Sequence, residues 1–198
     1  MSSLDKIRVK IERAKEHIQN FDSAKRIFLE SNPYVVASRY LPDFGEQGQT
    51  VYHLAKAVAI PERLSLIAGD AIHNLRCALD YLAYQLAEAS SPGGFDENKS
   101  FFPISDGLDN YEARLRGDLK SILRQEVIDT LRTLQPYKGG KGHGNTLWCL
   151  HRLDILDKHR LLIPKLCTTQ PSSEVRPGIQ TLLPSVRILI AVRFVSSL

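Results

Sequence analysis

Apolar residues recur at three- and four-residue steps from the start of the chain. Leu4, Ile7, Ile11, Ala14, Ile18, Phe21, Ala24, Ile27 and Phe28 keep the helical period. Ser3 and Asp5 suit a helix start, so a helix is predicted over residues 3–31. Asn32-Pro33 should end it, because a residue before proline avoids the helical region. The pattern then changes. Residues 34–41 and 50–60 are rich in aromatic and β-branched side chains, and the turn-rich stretch 42–49 lies between them. This predicts a β-hairpin. A lone hairpin is marginal in water, so it is expected to lie on helices or to pair with a third strand.

Pro61 suits the first turn of the next helix, predicted over Pro61–Ala89. Leu64, Ala68, Ala71, Leu75, Leu79, Leu82 and Leu86 form its apolar stripe. On the other side lie Asp70, His73, Asn74, Cys77, Asp80, Tyr81 and Tyr84, with Arg76 beside them. A solvated helix face is normally built from strong helix formers such as Lys and Glu. Asp, His, Asn, Arg and Tyr instead suit specific hydrogen bonding, which points to a second, polar packing surface.

Residues 90–99 read as a loop, Phe101–Ile104 as a short apolar anchor, and residues 111–116 as a short helix. A longer helix is predicted over 119–134, with Ile122, Leu123, Val127, Ile128 and Leu131 on its apolar side, stopped by Gln135-Pro136-Tyr137. The glycine-rich run 138–145 lacks the spacing of a phosphate-binding loop and follows no strand, so a flexible connection is expected. Residues 146–160, TLWCLHRLDILDKHR, form a final predicted helix crowded with His, Arg and Asp. Strands are expected at 160–167 and 185–195, with a loop over 168–184. The C-terminal part is expected to be shortened or divergent. The predicted fold is α+β and mostly α, in a single domain spanning 1–198. A helical-bundle core carries a β-hairpin and C-terminal strands packed at one side.

Composition changes this picture little. The 198 residues suffice for one good core. Hydrophobic content of 43% and charged content of 24% are ordinary for a globular protein. The formal net charge of +4 is spread along the chain, so it permits nucleic-acid binding without arguing for it. Cys77, Cys149 and Cys167 are odd in number and lack metal-site spacing, as in a reduced compartment. The N-terminus is charged where a signal peptide would be apolar, and no run is long enough to span a membrane. A cytoplasmic protein of bacterial style, without a membrane partner, is expected.

The chemistry-bearing residues fall on two predicted helices. Asp70, His73, Asn74, Arg76 and Asp80 lie on the first, and Asp157, Lys158, His159 and Arg160 on the second. The two polar faces are expected to meet. Asp70, His73, Asp157 and His159 could in principle hold a divalent ion. However, the four Glu and two His of a di-iron bundle are missing, and residues two apart diverge on a helix, so no metal or cofactor is assigned. No nucleophile elbow is present, and Cys77 and Cys149 sit in helical surroundings typical of inert thiols. The same Asp, His and Arg side chains could also form a structural network locking two helices together.

The ordered motifs RAKEHI, IPERLSLIAGDAIHNLRCALDYLAYQL, FFPI, LQPY and LWCLHRLDILDKHRLL resemble an uncharacterised family of bacterial and metagenomic proteins, over Leu4–Ile163. That resemblance raises the weight of the polar set and supplies no chemistry. A second resemblance does. HEPN domains are helical bundles, many of them metal-independent ribonucleases of toxin and defence systems, with an Arg followed on the same helix by a His. Arg152 and His159, with six residues between them, are similar in spacing, although Leu153 replaces the polar residue usual after the Arg. This resemblance implies RNA as partner, with Arg152 and His159 as catalytic candidates; His73 and Asp70 are added to them from the polar face of the central helix. Asn74, Arg76, Asp80, Asp157, Lys158 and Arg160 are then binding candidates, and a homodimer is a further expectation. The alternative is a non-catalytic binding or interaction module whose Asp/His/Arg cluster is structural.

Overall fold

The computed structural model describes residues 3–44, 48–159, 164–168 and 186–190. The elements are α1 (Ser3–Glu30), β1 (Tyr34–Leu41), β2 (Gln49–Ala57), α2 (Glu62–Ser90), α3 (Leu108–Arg116), α4 (Gln125–Leu134), α5 (Gly144–His159), β3 (Pro164–Thr168) and β4 (Val186–Ile190). The fold is α+β and mostly α, as the periodicity predicts. None of the described helices is long and apolar enough to cross a membrane. The chain divides into two compact units, Met1–Gln19 with Leu66–Leu162 and Asn20–Ser65 with Ile163–Leu198.

The second unit contains the strands. Asn32, ahead of Pro33, takes a left-handed conformation with φ 49°, which Asn tolerates better than most residues. β1 and β2 then pair antiparallel from Tyr34↔Ala57 to Leu41↔Gln49, with a bulge between Val35 and Val36. Phe28 meets Tyr34 edge to face at 6.0 Å, and Val58 N–H donates to the Pro33 carbonyl, so both ends of the hairpin base are tied. This sheet has two strands, and β2 is exposed along its whole length. β3 and β4 form a second antiparallel pair, from Pro164↔Ile190 to Thr168↔Val186. Residues 169–185, which cover nearly all of the predicted loop, lie outside the described residues.

The first unit holds a core of Ala83 and Ala87 from α2, Phe102, Ile104, Tyr111, Leu115, Leu119, Ile122, Ile128, Leu131 and Trp148. On α2 the small Ala78, Ala83 and Ala87 are buried, whereas Leu79 and Leu82 of the predicted stripe only pack against the core from its margin. Tyr111 is buried, and its hydroxyl donates to the Leu131 carbonyl at 2.7 Å. Burial pushes its phenol well above the usual range.

The helix predicted over 119–134 is broken. Leu119–Ser121 form a 3-10 turn, Arg124 is extended, and α4 begins at Gln125. An unbroken helix would place Ile128 about 180° round the axis from Leu119. The break lets Leu119, Ile122, Ile128 and Leu131 share one core. The glycine-rich connection after α4 is closely hydrogen-bonded. Lys138 N–H donates to the Ser105 carbonyl, Gly139 N–H to Asn145 Oδ1 and Lys141 N–H to Gln135 Oε1.

Candidate functional site

The polar face predicted on α2 exists, and α5 supplies its counterpart within the first unit. Two clusters of different character result.

The inner cluster is built on Arg76, only 7% exposed. Its Nη1 donates to Asp80 Oδ1 at 2.7 Å, its Nη2 to the Phe102 carbonyl at 3.4 Å and its Nε to His151 Nδ1 at 3.3 Å. Phe102 N–H donates to the same Asp80 oxygen at 3.0 Å. A charged donor so placed joins α2, α5 and the apolar segment before α3. The bond to His151 requires a lone pair on Nδ1, so the ring is neutral with its proton on Nε2. Burial, and next the Arg76 charge, hold His151 below the ordinary histidine range. Burial and the same guanidinium also lower Arg114, whose Nη2 reaches the Phe101 carbonyl.

The outer cluster opens to solvent. The His73 side chain is 53% exposed, and its Nδ1 lies 3.2 Å from Oδ1 of the buried Asp154. Oδ2 of Asp154 accepts from Lys158 Nζ at 2.7 Å. A carboxylate facing Nδ1 favours the tautomer with Nδ1 protonated and a lone pair on Nε2. That Nε2 lies 3.4 Å from Cys77 Sγ, one turn along α2. Asp157 packs so tightly on α2 that a Cβ at Gly69 would overlap its carboxylate. Burial raises the Asp157 carboxyl, as do neighbouring Asp154 and Asp70, against the opposing effect of His73. Asp70 lies 4.0 Å from His17 of α1, and Asn74 Oδ1 accepts from Lys10 Nζ at 3.3 Å.

The predicted residues therefore separate. His73, Asp157 and Lys158 converge on Asp154, while Arg76 and Asp80 form the inner cluster. Arg152 and His159 lie on another side of α5. Arg152, two residues before Asp154, and His159, five after it, lie about 160° and 140° round α5 from Asp154, so both leave the face turned to α2. His159 is exposed at the last residue of α5, and Arg152 is half-buried. Arg160 lies outside the described residues. The divalent-ion arrangement does not form, since among the described residues no three His, Cys, Asp or Glu side chains are placed to hold a metal.

Asp154 and His151 were hidden among the many polar residues of their helix. Their signal is the helical spacing of His151, Asp154, Asp157 and Lys158, one face of α5. Cys77 is drawn in by its place one turn after His73. Next to the inner cluster, with which it shares Asp80, lies a groove of about 610 Å³, whose lining also includes Lys6, Tyr81, Tyr84, Gln85, Glu97 and Phe101.

Comparison with protein-family models, curated proteins and solved structures returns no match. The chemistry of the two clusters accordingly carries the functional reading.

Proposed function

We propose that this chain is a HEPN-like, nucleic-acid-directed domain that cleaves RNA, with His73 as its reacting imidazole. The observation that supports this most is a solvent-facing imidazole whose far nitrogen is held by the buried Asp154 carboxylate. That is the arrangement of an oriented general base. Nε2 takes the proton of a ribose 2′-hydroxyl, O2′ bonds to phosphorus, and the P–O5′ bond breaks. The leaving 5′-oxygen takes a proton from water and His73 returns its proton to solvent, so the products are a 2′,3′-cyclic phosphate and a 5′-hydroxyl. The Cys77 thiol beside Nε2 is a weak hydrogen-bond partner, readily displaced by a ribose hydroxyl. Lys158 and Lys10 place positive charge at the rim for the phosphate. The resemblance to HEPN domains contributes RNA as the substrate class and names Arg152 and His159 as the competing pair on the outer face of α5.

A second reading also has an observation in its favour. The buried, three-partner Arg76 is what a structural polar network looks like, and it fits a non-catalytic interaction module. The two are separated by incubating RNA with wild type, His73→Ala, Asp154→Asn, Cys77→Ala and His159→Ala, with and without EDTA, and by melting each variant. The proposal expects EDTA-resistant cleavage that falls about 10²–10⁴-fold in folded His73→Ala and is retained in Cys77→Ala. Cleavage lost only in His159→Ala would move the reaction to the outer face of α5. No cleavage and no RNA binding at low salt would leave the interaction module.

A further inference from the structure

We infer that the groove two to three turns along α2 from His73, lined there by Asp80, Tyr81 and Tyr84, is a nucleobase subsite that takes guanine. The inference rests on the RNA reading for its substrate class, and its evidence is separate.

The groove follows the reacting edge of α2. Asp80 and Tyr84 lie within about 20° of His73 round the helix, and Tyr81 is about 12 Å farther along the axis. A strand whose phosphate sits at His73 would therefore lay a neighbouring base here. Two of the lining side chains are large aromatics left in water. Tyr81 is 43% exposed and Phe101 51% exposed. Single-stranded RNA is gripped through such rings, because every base has a π-face to stack on them.

The polar groups narrow the occupant. Asp80 already accepts from Arg76 and from Phe102 N–H, so its charge is compensated within the fold. That leaves Lys6 and Glu97 as the opposed charges of the groove. Among the described residues, the side chains of Lys6 and Gln85 have no hydrogen-bond or ion-pair partner. One cation balanced by one anion suits a neutral ligand rather than a free phosphate or a cation.

Glu97 is also well placed. Its turn is pinned by Asn98 N–H donating to Asp96 Oδ1 at 3.1 Å and by Ser100 Oγ donating to the Glu97 carbonyl at 2.7 Å. Tyr84 donates to Glu97 Oε1 at 3.3 Å, and the ring of Tyr84 rests on Phe95 at 5.3 Å. Guanine is the base that fits both charges at once. Its N1–H and N2–H₂ donate side by side to one carboxylate, while O6 and N7 accept from an ammonium. Uracil offers a single N–H, and adenine lacks an oxygen acceptor beside N7.

The test is calorimetric titration of the full chain with the 3′-monophosphates of guanosine, adenosine, cytidine and uridine. All four carry the same phosphate, so differences between them report the base. The guanosine nucleotide is expected to bind roughly tenfold more tightly than the others. Glu97→Gln and Tyr81→Ala should each weaken it roughly tenfold with no change in melting, while Tyr81→Phe retains binding. Equal affinity for all four, no binding at millimolar nucleotide, or indifference to Glu97→Gln would overturn the subsite. Guanosine binding without RNA cleavage would end the ribonuclease reading and leave the subsite standing. Cleavage with no guanosine preference would do the reverse.

Discussion

Replacing Arg76 by Met tests whether the inner cluster is architecture. Met keeps most of the apolar stem and removes the guanidinium. The bond to Asp80 is short and charged on both sides, and loss of such a bond costs about 1.5–3 kcal/mol. The bonds to Phe102 and His151, at 3.4 and 3.3 Å, are long and sit at the weak end, about 0.5 kcal/mol each. Acceptors left without a donor add about 1 kcal/mol more. The sum is about 3.5–5 kcal/mol, within the range for a buried ion pair deprived of one partner. Asp80 is partly solvated and can recover water, which favours the lower end. With a urea slope of about 2 kcal/mol per molar, the unfolding midpoint should fall by about 1.7 M. The chain has a single tryptophan, Trp148, buried in the first unit, so its fluorescence follows that unit alone. A midpoint within about 0.3 M of wild type would refute the structural role of Arg76. Loss of RNA cleavage at the same time would reassign it to the reaction.

Two further outcomes follow from the packing of α5 on α2. His151 is held below its ordinary value of 6.5 in the folded chain, so around and just below that pH the unfolded chain binds the extra proton. Stability therefore rises with pH through this window and is lost on acidification from about 6.5 downward. Wild type should melt lower at pH 5.5 than at pH 7.5, and His151→Gln should flatten that difference; an unchanged slope in the variant would show that another group is responsible. Asp157, raised from 3.8, acts with the opposite sign as pH climbs above that value. At Gly69 the helix interior would favour Ala by about 1 kcal/mol, but the new methyl meets the Asp157 carboxylate. Overpacking costs about 1–3 kcal/mol, so Gly69→Ala should lower the melting temperature and Asp157→Ala should restore it. A more stable Gly69→Ala would contradict the close packing of Asp157.

Much of the architecture was legible because its signals are local. Pro33 and Pro61 punctuate the chain, and α1 and α2 begin and end within a residue of the predicted limits. The hairpin follows from two β-rich runs around a turn. The break before α4 was not legible, since residues 119–134 carry a plausible helical pattern and only the common core forces Ile128 round to the side of Leu119. The site was half legible. The odd polar composition of α2 pointed to a polar packing face, but not to its division between His73 and the Arg76–Asp80 pair. The polar residues of α5 lie on all sides, so periodicity could not choose between the face bearing Asp154 and that bearing Arg152 and His159. The groove joins Lys6, Gln85, Glu97 and Phe101 from separated stretches, and no spacing rule connects them.

The connection after α4 has an evolutionary consequence. Gln135 adopts φ 49°, which turns its carbonyl into the loop that follows. A Cβ at Gly140 or at Gly144 would collide with that carbonyl. Gln135 Oε1 meanwhile holds Lys141 N–H. These positions cannot drift one at a time. A side chain gained at either glycine demands a new path for the backbone at Gln135, and that path gives up the turn that leads into α5. A lineage can keep the set or rebuild the whole connection, and descendants should differ here in discrete blocks rather than by single substitutions.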